Sequence, residues 1–285
     1  MTDELYRLSA NEAVLRLRQG KVTPLDLIDA VERRWQQVNR AVNALVTPCF
    51  DRARDHARRL MALPAEQRGL LCGLPIGIKD LNDVAGVRTT YGSPIFADNV
   101  PKVSDILVQT LEANGGIVVG MTNTPEFGAG ANTFNPVFGE TLNPWNPALN
   151  AGGSSGGSAA ALATGIVALA SGSDLGGSLR TPAGFCGVVG FRPSPGVVPY
   201  LDRSASLFPF SVHGPMGRSV EDAHLLLRAQ MARDKRDPFS SDDNGRIPAR
   251  LQPADIGRMR VALSPDLDCA PVEKDIGISR PSFAL

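Results

Sequence analysis

Apolar residues recur at helical spacing through the first sixty positions, then gather into short blocks separated by glycine and proline. Ser9-Ala-Asn-Glu12 has the form of a capping box and predicts a helix start. Thr23-Pro24 sets a capping residue before a proline at the first helical position. Leu25, Leu27, Ile28, Val31 and Trp35 then fall on one face of the helix that follows. Residues 44–47 read as a short strand. Asp51 to Met61 reads as an arginine-rich helix whose charges are expected only to keep a solvated face soluble.

From about residue 70 the texture changes. Gly73-Leu-Pro-Ile-Gly-Ile78 has strand character, with Lys79-Asp80 directly after it. Asp105 to Asn114 predicts a helix ended by Gly115-Gly116. Ile117-Val-Val-Gly120 predicts a buried strand. Residues 134–150 are rich in asparagine and proline and read as loop. Residues 156–164 predict an alanine-rich helix stopped by Gly165, and residues 166–170 another strand. Glu221 to Met231 predicts a helix with Ala223, Leu226, Leu227 and Gln230 along one side. Residues 233–250 are polar and loop-like, and Arg260-Val-Ala-Leu263 predicts a late strand. Helix followed by apolar strand fits α/β layering with at least part of the sheet parallel.

Composition narrows the function classes. Lys+Arg and Asp+Glu are both 29, so no net field draws nucleic acid or an anionic membrane, and neither is expected as a partner. The first residues lack a basic patch with an apolar run behind it, no apolar run reaches the roughly 18 residues of a membrane span, and a cytoplasmic chain is expected. Cys49, Cys72, Cys186 and Cys269 form no CxxC pair and are expected to be reduced. His56, His213 and His224 lack ligand spacing, so no metal and no cofactor is expected.

The candidate chemistry lies in two glycine-flanked serine clusters. Gly152-Gly-Ser154-Ser-Gly156 formally fits GxSxG, but Pro144 and Pro147 upstream rule out the strand that a nucleophile elbow needs. His224 falls inside a predicted helix and His213 in a loop, and nothing marks either as a base. No Gly-Lys-Ser/Thr follows the glycines, so the phosphate-loop pattern fails as well. Lys79 remains. A lysine there is ordinarily a surface charge; buried, it loses proton affinity by desolvation and a neutral amine can take a serine proton. Gly176-Gly177-Ser178 sets a hydroxyl beside consecutive backbone N–H groups, as an oxyanion hole requires.

These residues bring a resemblance. Gly-Leu-Pro-Ile-Gly-Ile-Lys-Asp at 73–80, Gly-Gly-Ser-Ser-Gly-Gly-Ser-Ala-Ala-Ala at 152–161 and Gly-Ser-Asp-Leu-Gly-Gly-Ser-Leu-Arg-Thr-Pro-Ala at 172–183 resemble the amidase signature family in order and type. Phe191-Arg-Pro-Ser, Gly214-Pro-Met and Arg218-Ser-Val-Glu-Asp agree. The resemblance implies an α/β fold with a mixed sheet flanked by helices, in one domain: N-terminal helices over 1–65, a catalytic core over 66–270 and an atypical tail over 271–285. It implies Ser178 as nucleophile, Ser154 as a bridging serine after a cis peptide, Lys79 as base, Ser155 as a supporting hydroxyl, and the N–H groups of Leu175, Gly176, Gly177 and Ser178 as the oxyanion hole.

The implied reaction is hydrolysis of the amide bond of a small carboxamide through an acyl-serine. The resemblance also allows a homodimer, as in full-length relatives, or the amidase component of a tRNA-dependent amidotransferase. Where the family implies a long helix near Pro271, Gly277 and Pro281 interrupt it. The chain is therefore expected to be shortened at its C-terminus, and a catalytically impaired remnant is a further reading. Phe127, Phe134, Phe138, Phe185, Phe208 and Phe210 are available to line a pocket, with core packing as their expected role. Arg180 is expected to be a hydrogen-bond donor at its turn.

Overall fold

The computed structural model describes residues 4–201, 207–240, 247–255, 257 and 259–260. Two compact units are present, Met1–Pro248 and Ala249–Leu285. In the second, the described residues form no strand or α-helix. The strand expected at 260–263 and the tail at 271–285 fall almost wholly outside the described residues.

Helix α1 (Ala10–Arg18) starts at Ser9, whose side chain accepts the Glu12 N–H while Glu12 reaches back to the Ser9 N–H. Helix α2 (Pro24–Val42) repeats the device with Thr23 and Asp26 and has Pro24 at its first position. Its Leu27, Ile28 and Val31 are buried, with Leu25 and Trp35 packed beside them. Strand β1 (Leu45–Pro48) leads into α3 (Phe50–Met61). The arginines of α3 do more than keep a face wet. Arg54 pairs with Asp29 at 2.7 Å and with Glu32, tying α3 to α2, and Arg52 pairs with Glu112 at 2.8 Å.

The remaining strands are β2 (Pro75–Lys79), β3 (Ile117–Thr122), the short hairpin β4 (Phe134–Asn135) and β5 (Gly139–Glu140), β6 (Leu169–Asp174), β7 (Val189–Gly190) and β8 (Val212–Gly217). Helices α4 (Ile106–Ala113), α5 (Gly156–Ala163), α6 (Arg180–Cys186) and α7 (Val220–Gln230) complete the described elements. The main sheet has the order β1-β3-β2-β6-β8-β7. Its centre, β3-β2-β6, is parallel, and β1, β8 and β7 pair antiparallel. Two hydrophobic clusters account for the core, one built on α2, α3 and α5, the other on α1, α4 and α7. The mixed sheet flanked by helices is the α/β architecture expected.

Strand β6 sits further along the chain than its apolar residues predict. The N–H groups of Ile166 and Val167 turn back to the Ala161 carbonyl and close the end of α5. Sheet pairing therefore begins only at Leu169, opposite Ile76 and Gly217, and runs on through Ser171, Gly172, Ser173 and Asp174. Strand β8 escapes prediction because its sequence, Val-His-Gly-Pro-Met-Gly, reads as a breaker. Pro215 is tolerated there since its carbonyl, not an N–H, is what Phe191 needs, at 3.1 Å. His213 thus lies in a central strand, buried, rather than in a loop. The asparagine-rich segment likewise holds β4 and β5, closed by a Leu142–Asn150 bridge.

None of the six phenylalanines is a core residue. Phe127, Phe134, Phe185 and Phe210 are each more than half exposed, and Phe138 and Phe208 are half-buried. The two core clusters are mainly aliphatic instead, and the buried phenylalanine in them is Phe50.

The start of α5 approaches its neighbours so closely that only glycine fits. A Cβ on Gly157 would lie 2.2 Å from the Asn123 nitrogen and 2.8 Å from the Ala44 carbonyl oxygen, both main-chain atoms with no freedom to swing away. Gly157→Ala is expected to cost about 1–3 kcal/mol by overpacking, read as a lower denaturation midpoint. Gly176→Ala, where no heavy atom lies within 4 Å, is expected to leave the midpoint within about 0.5 kcal/mol.

Candidate active site

Parallel strands end in a crevice where an α/β sheet presents its functional groups. Here β2 ends on Lys79, β6 ends on Ser173 and Asp174, and α5 begins just after Ser154 and Ser155. The strand end and the helix start meet over one buried amine.

Lys79 is fully buried. Its backbone N–H donates to Ser171 Oγ at 3.0 Å, which anchors the strand end on β6. Its Nζ lies 2.7 Å from Ser154 Oγ, 2.9 Å from Ser155 Oγ and 3.0 Å from Ser173 Oγ. Burial pushes the amine down to about 7, against a smaller upward pull from Asp174. Between that value and the ordinary 10.5 the unfolded chain binds more protons than the folded one. This group therefore opposes folding at neutral pH, and its cost falls as pH rises through that window.

The hydroxyls are held by a glycine-rich run. The Gly153–Ser154 peptide is cis. Thr133 Oγ1 donates to the Gly152 carbonyl at 2.9 Å and accepts the Gly156 N–H at 3.0 Å, clamping the run from both sides. A Cβ on Gly128 would stand 3.7 Å from Ser154 Oγ, so the 126–128 turn walls this hydroxyl. Ser155 is tied to β6: its Oγ donates to the Ser173 carbonyl at 3.3 Å and receives the Ser173 N–H at 3.3 Å.

Ser178 lies on the turn after β6, half-buried. Its carbonyl accepts the Ser155 N–H at 3.2 Å, which joins this turn to the second serine cluster. Among the described residues its hydroxyl makes no hydrogen bond with Ser154. Leu175 and Gly176 are exposed on the same turn.

Asp174 shapes that turn. It is fully buried and accepts from the Gly177 N–H at 2.9 Å, the Leu179 N–H at 3.1 Å, and Arg180 Nε and Nη2 at 3.1 and 3.0 Å. Arg192 Nη1 donates to it at 3.1 Å. Burial alone raises a carboxylate, but the bonds from Arg180, Leu179 and Gly177 outweigh it and hold Asp174 down at about 2. The Gly177 N–H is thereby committed to a carboxylate, while those of Leu175, Gly176 and Ser178 are not bound to Asp174. Arg180 acts here as the turn donor expected of it. Asp80, next to the lysine, is pushed up to about 6 by burial against two bonds from Thr90, at 2.5 and 2.9 Å.

Sequence reasoning singled out Lys79, Ser154, Ser155 and Ser178; the structure brings the first three into hydrogen-bond contact and joins Ser178 to Ser155 through its carbonyl. It did not single out Ser173, Asp174 or Thr133. An aspartate two residues before a Gly-Gly turn, with an arginine six residues on, is the one local signal available for Asp174. Among the described residues no group of three His, Cys, Asp or Glu is placed to hold a metal, and no helix is long and apolar enough to cross a membrane.

The chain is similar to known amidases along most of its length. The chain is 38% identical over 281 residues to an acylamidase of Rhodococcus erythropolis, covering 97% of this chain and 58% of that protein. It is 38% identical over 241 residues to one component of the glutamyl-tRNA(Gln) amidotransferase of Carboxydothermus hydrogenoformans, covering 84% of this chain and 50% of that one. The solved structure of a bacterial aryl acylamidase of the amidase signature enzymes superposes with a TM-score of 0.76 at 35% identity, over 82% of this chain and 49% of that one. The chain thus spans about half the length of the relatives it matches. A family model described as amidase matches residues 26–277, nearly the whole chain, and with these relatives it establishes that the chain belongs to the amidase signature family.

Proposed function

We propose that this chain hydrolyses the carbon–nitrogen bond of a small carboxamide through an acyl-serine on Ser178. The observation that carries the reading is the buried Lys79 amine 2.7 Å from Ser154 Oγ. A proton passes from Ser178 to Ser154 and from Ser154 to Lys79 as the Ser178 oxygen bonds to the amide carbon. The resulting oxyanion lies on the 175–178 turn. The N–H groups of Leu175, Gly176 and Ser178 are its donors, and Gly177, bound to Asp174, fixes the curvature of the turn. The proton returns through Ser154 to the nitrogen, the C–N bond breaks, and ammonia or an amine leaves. Water then attacks the acyl-serine by the same relay, releasing the carboxylic acid and regenerating Ser178.

The likeness to the amidotransferase component supports a second reading, in which the ammonia released serves a partner enzyme. Both readings use one site. Release of free ammonia by the purified chain alone favours the first, and turnover only with partner proteins favours the second. We place the chain in the cytoplasm, a reading supported by the unpaired thiols of Cys49, Cys72 and Cys186.

Two outcomes test the mechanism. A fluorophosphonate probe is expected to label the purified chain at one site, read by peptide mass spectrometry, and Ser178→Ala is expected to abolish labelling. Persistent labelling of that variant removes Ser178 from the nucleophile role. The rate of labelling is expected to rise with pH through about 7, where Lys79 loses its proton, and to level off above it. The sign follows from the base being active only when neutral. A rate that is flat from pH 5 to about 9 contradicts Lys79 as the base.

A further inference from the structure

Nothing in the proposed mechanism uses Ser173, yet its hydroxyl stands 3.0 Å from the base nitrogen. A neutral amine has two N–H groups and one lone pair. Lys79 Nζ has three hydroxyl oxygens around it, at 2.7, 2.9 and 3.0 Å. To take a proton from Ser154 the lone pair has to face Ser154, so both N–H groups have to go elsewhere. Ser155 is one acceptor: its own proton is committed to the Ser173 carbonyl at 3.3 Å, so toward Lys79 it accepts. Ser173 Oγ is the other.

We propose that Ser173 is a positioning residue which, with Ser155, accepts the two N–H bonds of neutral Lys79 and so turns the lone pair onto Ser154. The inference rests on the proposed reading of Lys79 as base and adds to it the element that orients that base. With the Ser173 hydroxyl removed, one N–H has no fixed acceptor and the amine rotates about Cε–Nζ. The lone pair then faces Ser154 for only part of the time.

Among the described residues, the following groups lie on the elements packed around this amine. β6 brings Asp174, whose charge is met by Arg180 and Arg192. β8 brings His213, paired in register with Ser173. The next residue, Asp80, is bound to Thr90. β3 and α5 bring only the hydroxyls of Thr122 and Ser158, which bond each other at 2.7 Å.

The test compares Ser173→Thr and Ser173→Val with the unaltered full chain. Threonine keeps the hydroxyl; valine has nearly the same volume without it. The readout is the pH profile of fluorophosphonate labelling at Ser178, with a thermal melt of each variant. Ser173→Thr is expected to keep both the plateau rate and the position of the acid limb. Ser173→Val is expected to lower the plateau about tenfold or more. Its acid limb is expected to move to lower pH by about half a unit, because a hydroxyl accepts more strongly from the ammonium than from the amine. Valine and threonine giving the same plateau and limb overturns the proposal. So does a plateau that falls in valine with its limb unmoved, which marks a merely structural role. An unaltered chain that takes no label at Ser178 instead overturns the reading on which the proposal stands.

Discussion

The site depends on keeping one amine away from water. Lys79 sits at the end of a central parallel strand with no exposed surface, and desolvation alone brings its proton affinity near neutrality. That constraint dictates what surrounds it. Neighbours that accept and donate hydrogen bonds without charge are tolerated, and Ser154, Ser155 and Ser173 supply them. A carboxylate facing it directly would restore the ammonium. Asp174 is close enough to pull in that direction, but its charge is spent on two arginines and two backbone N–H groups.

In the proposed reading, the fold separates the parts that have to be rigid from the part that meets substrate. The proposed base, Lys79, is set by a strand, anchored through the Ser171 hydroxyl. The proposed relay serine, Ser154, is set by the turn into α5, clamped by Thr133 and packed so tightly that Gly157 has main chain on two sides. The proposed nucleophile, Ser178, lies on the turn after β6, whose Gly177 and Leu179 N–H groups are held by Asp174. A single buried carboxylate thus organises the turn while three hydroxyls surround the buried amine.

Much of this was legible in the sequence where the signal is local. The caps at Ser9 and Thr23, the helix ends at glycine and the apolar strands β2 and β3 depend on neighbours a few residues away, and they fall where the patterns predict. The serine clusters and Lys79 were legible through their order along the chain. What escaped depends on distant partners. Strand β6 begins late because Ile166 and Val167 are used to finish α5. β8 is hidden by a proline that the sheet accommodates through its carbonyl. Ser173 and Thr133 look like any strand or loop hydroxyl until the amine and the glycine run are brought to them. The arginines of α3 read as solvation until Asp29 and Glu32 stand opposite. The phenylalanines read as core by type alone, whereas small residues fill the space beside α5.

The most direct test is a titration of the Lys79 amine itself, by NMR of the protein carrying 13C at lysine Cε, with the signal assigned by its loss in Lys79→Met. The account predicts a single lysine titrating at about 7. A Lys79 signal that titrates at the ordinary 10.5 instead contradicts it, since an amine charged at neutral pH has no lone pair for Ser154.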